Sequence, residues 1–121
     1  MTRWILVCGG LLCALAVLFG AFGAHALKGQ LSTSALSWYN TAVHYQTTHA
    51  LALIACGFLP RSRQSSIAAG CFLIGIALFS GSLYAMAATG ITKLGIITPV
   101  GGLGFITGWL FFCLAAARVG K

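Results

Sequence analysis

A chain of 121 residues that is 60% apolar, 6% charged and wholly without Asp or Glu lies outside ordinary soluble globular composition; its net charge of +7 comes from the missing acids and not from a basic patch. With a mean hydropathy of +1.00 it reads as a membrane protein of one domain. The lack of carboxylates excludes the paired acids of glycosidases, the acidic ligand sets preferred by Mg²⁺ and Ca²⁺, and the usual intramembrane proton carrier.

The seven cations, Arg3, Lys28, Arg61, Arg63, Lys93, Arg118 and Lys121, stand at the ends of apolar runs. They read as topology signals, whereas a nucleic-acid partner would need them gathered on one face. No nucleic acid is expected. The five cysteines show no CxxC spacing and each falls inside an apolar run, so they are expected to be small buried hydrophobes, with no metal and no cofactor.

The first apolar run, 4–27, exceeds the roughly 20 residues needed to cross ~30 Å of hydrocarbon and is broken only by His25. Although Ala24-His25-Ala26 imitates a signal-peptidase site, the run is too long for a signal-peptide core and reads as an uncleaved anchor. Lys28 and Gly29 supply a cation and a glycine for its end. The stretch 30–40 is polar, with Trp38 and Tyr39, and suits a short interfacial segment.

A second span is expected over 41–59, closed by Pro60. Its first half crowds His44, Tyr45, Gln46, Thr47, Thr48 and His49 together. After the Arg61–Arg63 turn, Ser65 or Ser66 can cap a third span, 67–89, which Gly90 ends. Thr98-Pro99 resembles an N-cap followed by proline at the first helical position, starting a fourth span over 99–117. The expectation is an all-α membrane protein, a compact bundle of four transmembrane helices. Five cations then fall on one side and two on the other, which puts both termini in the cytoplasm, here of a bacterial inner membrane.

Lipid tails are as apolar as leucine, so helix association rests on close packing at small residues. Gly20 and Gly23 in the first run, Gly81 in the third, and Gly101, Gly104 and Gly108 in the fourth supply such stripes. They serve packing within one subunit or contact between copies.

Helical rise places His25, Tyr45, His49, Ser80 and Tyr84 in one half of the bundle, the outer half in this topology. Polar groups in hydrocarbon must be hydrogen-bonded, so these are expected to face one another. The cluster either fixes helix register or forms a ligand-binding or proton-relay site, since histidine titrates near neutrality and no carboxylate is present. Haem or metal ligation is a third reading, weakened because His44 and His49 lie about 140° apart around a helix. Ser80 and Ser82 have no acid to orient a histidine and no nucleophile elbow, so no catalytic residue is assigned.

Four stretches together, GAFGAHALK (20–28), WYNTAVHYQTTHALAL (38–53), FSGSLY (79–84) and TPVGGLGFITGW (98–109), resemble domain-of-unknown-function family 423, small inner-membrane proteins with a mitochondrial branch. The resemblance implies a four-helix membrane protein and no established activity. It marks Gly20, Gly23, His25, Trp38, Tyr45, His49, Ser80, Gly81, Tyr84, Pro99, Gly101, Gly102 and Trp109 as signature positions, and implies variation at His44.

The function expected is that of a non-enzymatic integral membrane protein, an accessory or scaffold subunit or a small homo-oligomer. Its partners would be the lipid bilayer and another membrane protein or further copies of itself. The alternative is a small channel or transporter for protons or a small neutral or anionic solute.

Overall fold

The structure, a computed structural model, describes residues 2–121. Helix α1 (Arg3–Phe22) ends in a π-helical turn, Gly23–Leu27; α2 spans Thr33–Phe58. α3 (Arg63–Gly75) passes through a second π turn, Ile76–Ser80, into α4 (Gly81–Thr89), and a 3₁₀ turn, Thr92–Ile96, leads into α5 (Ile97–Ala116). Among the described residues every regular element is helical and there is no strand. Three stretches are long and apolar enough to cross a membrane: Arg3–Leu27, Arg63–Thr89 and Thr92–Ala116.

The element ends differ from the sequence expectation at three places. Residues 33–40 form the first turns of α2, because Ser32 accepts the Ala35 N–H at 3.1 Å and no glycine or proline interrupts the helix before Gly57. The third rod starts at Arg63, since Ser62 and Ser65 form a reciprocal capping box; Ser65 is the far side of that box and not the cap. The last rod starts at Thr92, and Pro99 sits in the first turn of α5, where its missing N–H costs little. Gly29 and Gly90 have φ of +85° and +73°, so the turns after the first and third rods use the left-handed conformation glycine permits.

Contacts fix the topology. α1 runs antiparallel to α2, with Gly9 under Ile54 at one end and Gly23 under the Tyr39 ring at the other. α5 runs antiparallel to α3, with Gly108 against Phe72, and Gly101 so close to Phe79 that a Cβ would overlap its backbone nitrogen. Gly57 and Gly75 make similar approaches, to Leu6 and to Phe105. At Gly20, Gly81 and Gly104 a Cβ would meet nothing closer than 3.5 Å, an ordinary contact.

The helices follow one another as α1, α2, the α3–α4 rod, then α5, each laid on the one before. α1 and α5 are the flanks, and each leaves a large apolar face uncovered: Val7, Leu11, Val17 and Leu18 on one, Leu103, Ile106, Leu110 and Leu114 on the other. The main core, around Leu53, Cys56, Ala69, Phe72 and Phe105, fills the half nearest the α2–α3 turn. Of the cysteines only Cys56 is buried; Cys8 and Cys13 of α1 are half-covered and Cys113 of α5 is exposed, because these flanking helices are covered on one side alone, and Cys71 of α3 is half-covered.

Candidate functional site

Polar side chains collect on two sides of α2. On the inner side they tie neighbouring helices together. Gln46, buried, donates from Nε2 to the Leu12 carbonyl of α1 at 2.9 Å and accepts at Oε1 from the Tyr84 hydroxyl of α4 at 2.6 Å. Tyr84 reaches back towards the middle of the bundle because helical side chains lean towards the N-terminus of their own helix. Its ring meets those of Phe19 and Tyr39 edge to face, and the Tyr39 hydroxyl donates to the Phe19 carbonyl.

Ser80, fully buried in the second π turn, donates to the Ala42 carbonyl at 2.8 Å. The wide turn is visible in the Gly81 N–H, which bonds back to the Ile76 carbonyl. The Ser82 and Thr98 hydroxyls bond each other and join α4 to α5. Neither serine hydroxyl is free to act as a nucleophile.

His49 lies where α2, α3 and α5 meet. Its Nδ1 is 2.8 Å from the Tyr45 carbonyl and its Nε2 is 3.1 Å from the indole Nε1 of Trp109. A carbonyl can only accept and an indole N–H can only donate, so Nδ1 carries the proton and the ring is the neutral Nδ1–H tautomer. Its face stacks on Phe105, with centroids 3.5 Å apart, and the Phe72 ring lies tilted beside it at 5.7 Å. Taking up a second proton at Nε2 requires breaking the bond from Trp109.

The outer side of α2 is different. Thr33, Ser37, Asn40, His44, Thr47 and Thr48 are all exposed and run down the helix at spacings of three and four residues. Thr47 and Thr48 bond their hydroxyls to carbonyls one turn back, whereas Thr33, Ser37, Asn40, His44 and Tyr45 line a shallow groove of about 500 Å³. Beside it, a groove of about 630 Å³ between α2 and α5 is floored by Tyr45, Phe79, Phe105 and Trp109.

The five polar residues expected in one cluster therefore occupy different places. Tyr45 and His49 stack on the α5 side, Ser80 and Tyr84 bond to the inner side of α2, and His25 is exposed in the first π turn, apart from these hydrogen bonds. Gln46, Tyr39 and Trp109 were not expected in the cluster, although the family resemblance marks Trp109; each has a polar atom that hydrocarbon obliges to be paired, which was the available signal. Among the described residues no three His or Cys side chains come together to hold a metal ion.

The family model "Protein of unknown function (DUF423)" matches residues 19–102. The chain belongs to the DUF423 family. A UPF0382 membrane protein of Staphylococcus haemolyticus is 42% identical over 96% of this chain and 97% of its own. The UPF0382 membrane protein YwdK of Bacillus subtilis is 41% identical over 93% and 95%, and the UPF0382 inner membrane protein YgdD of Escherichia coli is 33% identical over 98% and 92%. No solved structure matches the chain. The matched region holds all five cluster residues and both sides of α2, so this DUF423 protein is a multi-pass protein of the bacterial inner membrane whose polar helix lies inside the family-defining segment.

Proposed function

We propose that this DUF423 protein is a non-enzymatic subunit of a membrane assembly, either an accessory or scaffold protein or a small homo-oligomer. In this reading all four rods cross the bilayer. The end carrying Arg3, Arg61, Arg63, Arg118 and Lys121 faces the cytoplasm, and the end carrying Lys28 and Lys93 faces outward, as the positive-inside bias favours.

The outer side of α2 carries the proposal. A 26-residue helix is long enough to span, yet Ser37, Asn40 and His44 point away from every other helix of the chain. Polar side chains against lipid are costly, and a neighbouring protein that offers hydrogen-bond partners removes the cost. Inside the subunit, Gln46, His49, Ser80 and Tyr84 act as register-fixing groups, with Gly23, Gly101 and Gly108 as the close-packing points. His25 and Tyr45 remain available to a partner.

The alternative is a small channel or transporter, supported by the same stripe: copies arranged with α2 towards a common axis would line a polar path with Asn40 and His44. Purification from native membranes in mild detergent, with mass measurement of the protein component, is expected to give a defined oligomer or a stoichiometric protein partner. A monomer accompanied by lipid alone contradicts the subunit reading. Proton or solute flux in proteoliposomes that is lost in H44A would move the channel to first place.

A further inference from the structure

The end of the bundle that carries five cations holds a groove of about 640 Å³, lined by Thr2, Arg3, Trp4, Val7, Cys8 and Arg61. Two contacts build it. The Thr2 N–H donates to the Gly57 carbonyl at 2.9 Å, and Leu6 packs onto Gly57, so the start of α1 is fastened to the end of α2. The Arg3 and Arg61 side chains thereby line one groove, although 58 positions separate them.

The chain contains no Asp or Glu, so no side chain of its own can neutralise this pair. The rim is basic while Val7, Cys8 and Trp4 form an apolar floor that leads along α1 towards the middle of the bundle; Trp4 and Val7 are each 54% exposed. We propose that this groove binds an anionic phospholipid, with its phosphodiester between the Arg3 and Arg61 guanidinium groups and an acyl chain laid along Val7 and Cys8.

Three features favour that occupant. Guanidinium forks match phosphate oxygens in a bidentate way, better than an ammonium does. Tryptophan at the start of a membrane helix suits the level of the ester groups, where its ring is apolar and its N–H stays wet. Basic grooves between transmembrane helices on the cytoplasmic side are a recurrent setting for anionic head groups. A zwitterionic head group would bring its own cation against two arginines, whereas phosphatidylglycerol brings none.

The test is native mass spectrometry of the full-length protein in mild detergent, titrated in separate arms with phosphatidylglycerol, phosphatidylethanolamine and inorganic phosphate. Phosphatidylglycerol is expected to bind roughly tenfold more tightly than phosphatidylethanolamine, and R3Q/R61Q to abolish the preference while R3K/R61K keeps part of it. Equal binding of the two lipids, or a preference that survives R3Q/R61Q with an unchanged melting temperature, overturns the proposal. Displacement of the lipid by millimolar inorganic phosphate overturns the lipid assignment, because the site would then read phosphate alone. If R3Q/R61Q does not fold, R61Q, which changes an exposed turn residue, must by itself weaken phosphatidylglycerol binding severalfold, and unchanged binding there overturns it equally.

Discussion

Gln46 and His49 lie three residues apart on α2 and solve one problem in two ways, that of a polar side chain in a medium with no water to satisfy it. Gln46 spends its donor on α1 and its acceptor on α4; His49 spends its donor on its own helix and its acceptor on α5. Gln46→Leu strands the Tyr84 hydroxyl and His49→Phe strands the Trp109 N–H, so each should cost about 1 kcal/mol, with Gln46→Leu the larger because two helix pairs are untied. Thermal melting in detergent reads this directly. His44→Ala serves as the comparison, since His44 is exposed and its loss should leave the melting of an isolated subunit unchanged. Equal destabilisation by all three would mean that the hydrogen bonds of the interior contribute nothing specific. From the sequence, the position of these residues along their helix was legible, because it follows from counting. Their direction around the axis was not. Tyr45 and Gln46 are neighbours in sequence, yet they serve different neighbours of α2, Tyr45 stacking on Phe105 of α5 and Gln46 bonding Tyr84 of α4.

Among the elements, three of the four expected apolar runs were readable because hydrocarbon imposes a length, and so were the glycine ends at Gly29 and Gly90; the expected run over 41–59 lies in α2, which is not among the three long apolar stretches. The starts of α2, α3 and the last rod were displaced because they are decided by a single hydroxyl or by a 3₁₀ turn, which apolar periodicity does not report. Small-residue stripes were visible, but a stripe does not say which of its members touches a neighbour. Gly101 and Gly81 make the contrast. A methyl group at Gly101 would overlap Phe79 backbone, which cannot move aside, whereas at Gly81 the nearest atom is 4.0 Å away. Gly101→Ala should therefore lose about 1–3 kcal/mol through overpacking and Gly81→Ala almost nothing. Comparable melting temperatures for the two variants would show that α5 does not lie against α3 as described.

For the molecule as a whole, the order α1, α2, α3–α4, α5 leaves both flanks apolar and one side of the middle helix polar. That combination suits a subunit whose apolar flanks meet lipid and whose polar stripe meets protein. Membrane-impermeant labelling of single cysteines placed at the exposed positions Lys28 and Lys93, in a background with the native cysteines removed, is expected to succeed from the periplasmic side. A cysteine at Ser62 should react only after the inner membrane is opened. The opposite pattern would invert the proposed topology, and reaction of cysteines at Lys28 and Ser62 from the same side would remove α2 as a crossing helix. Membrane residence and family were legible in the sequence, whereas the uncovered stripe was not, because exposure depends on how the other three rods are arranged. The most direct test of the subunit reading is a photoreactive residue placed at His44 and irradiated in native membranes, with Val17 on the apolar flank of α1 as the comparison. A protein adduct at His44 and none at Val17 is the predicted result. No protein adduct at His44, under irradiation that yields lipid adducts at both positions, would contradict the claim that the stripe of α2 is covered by protein.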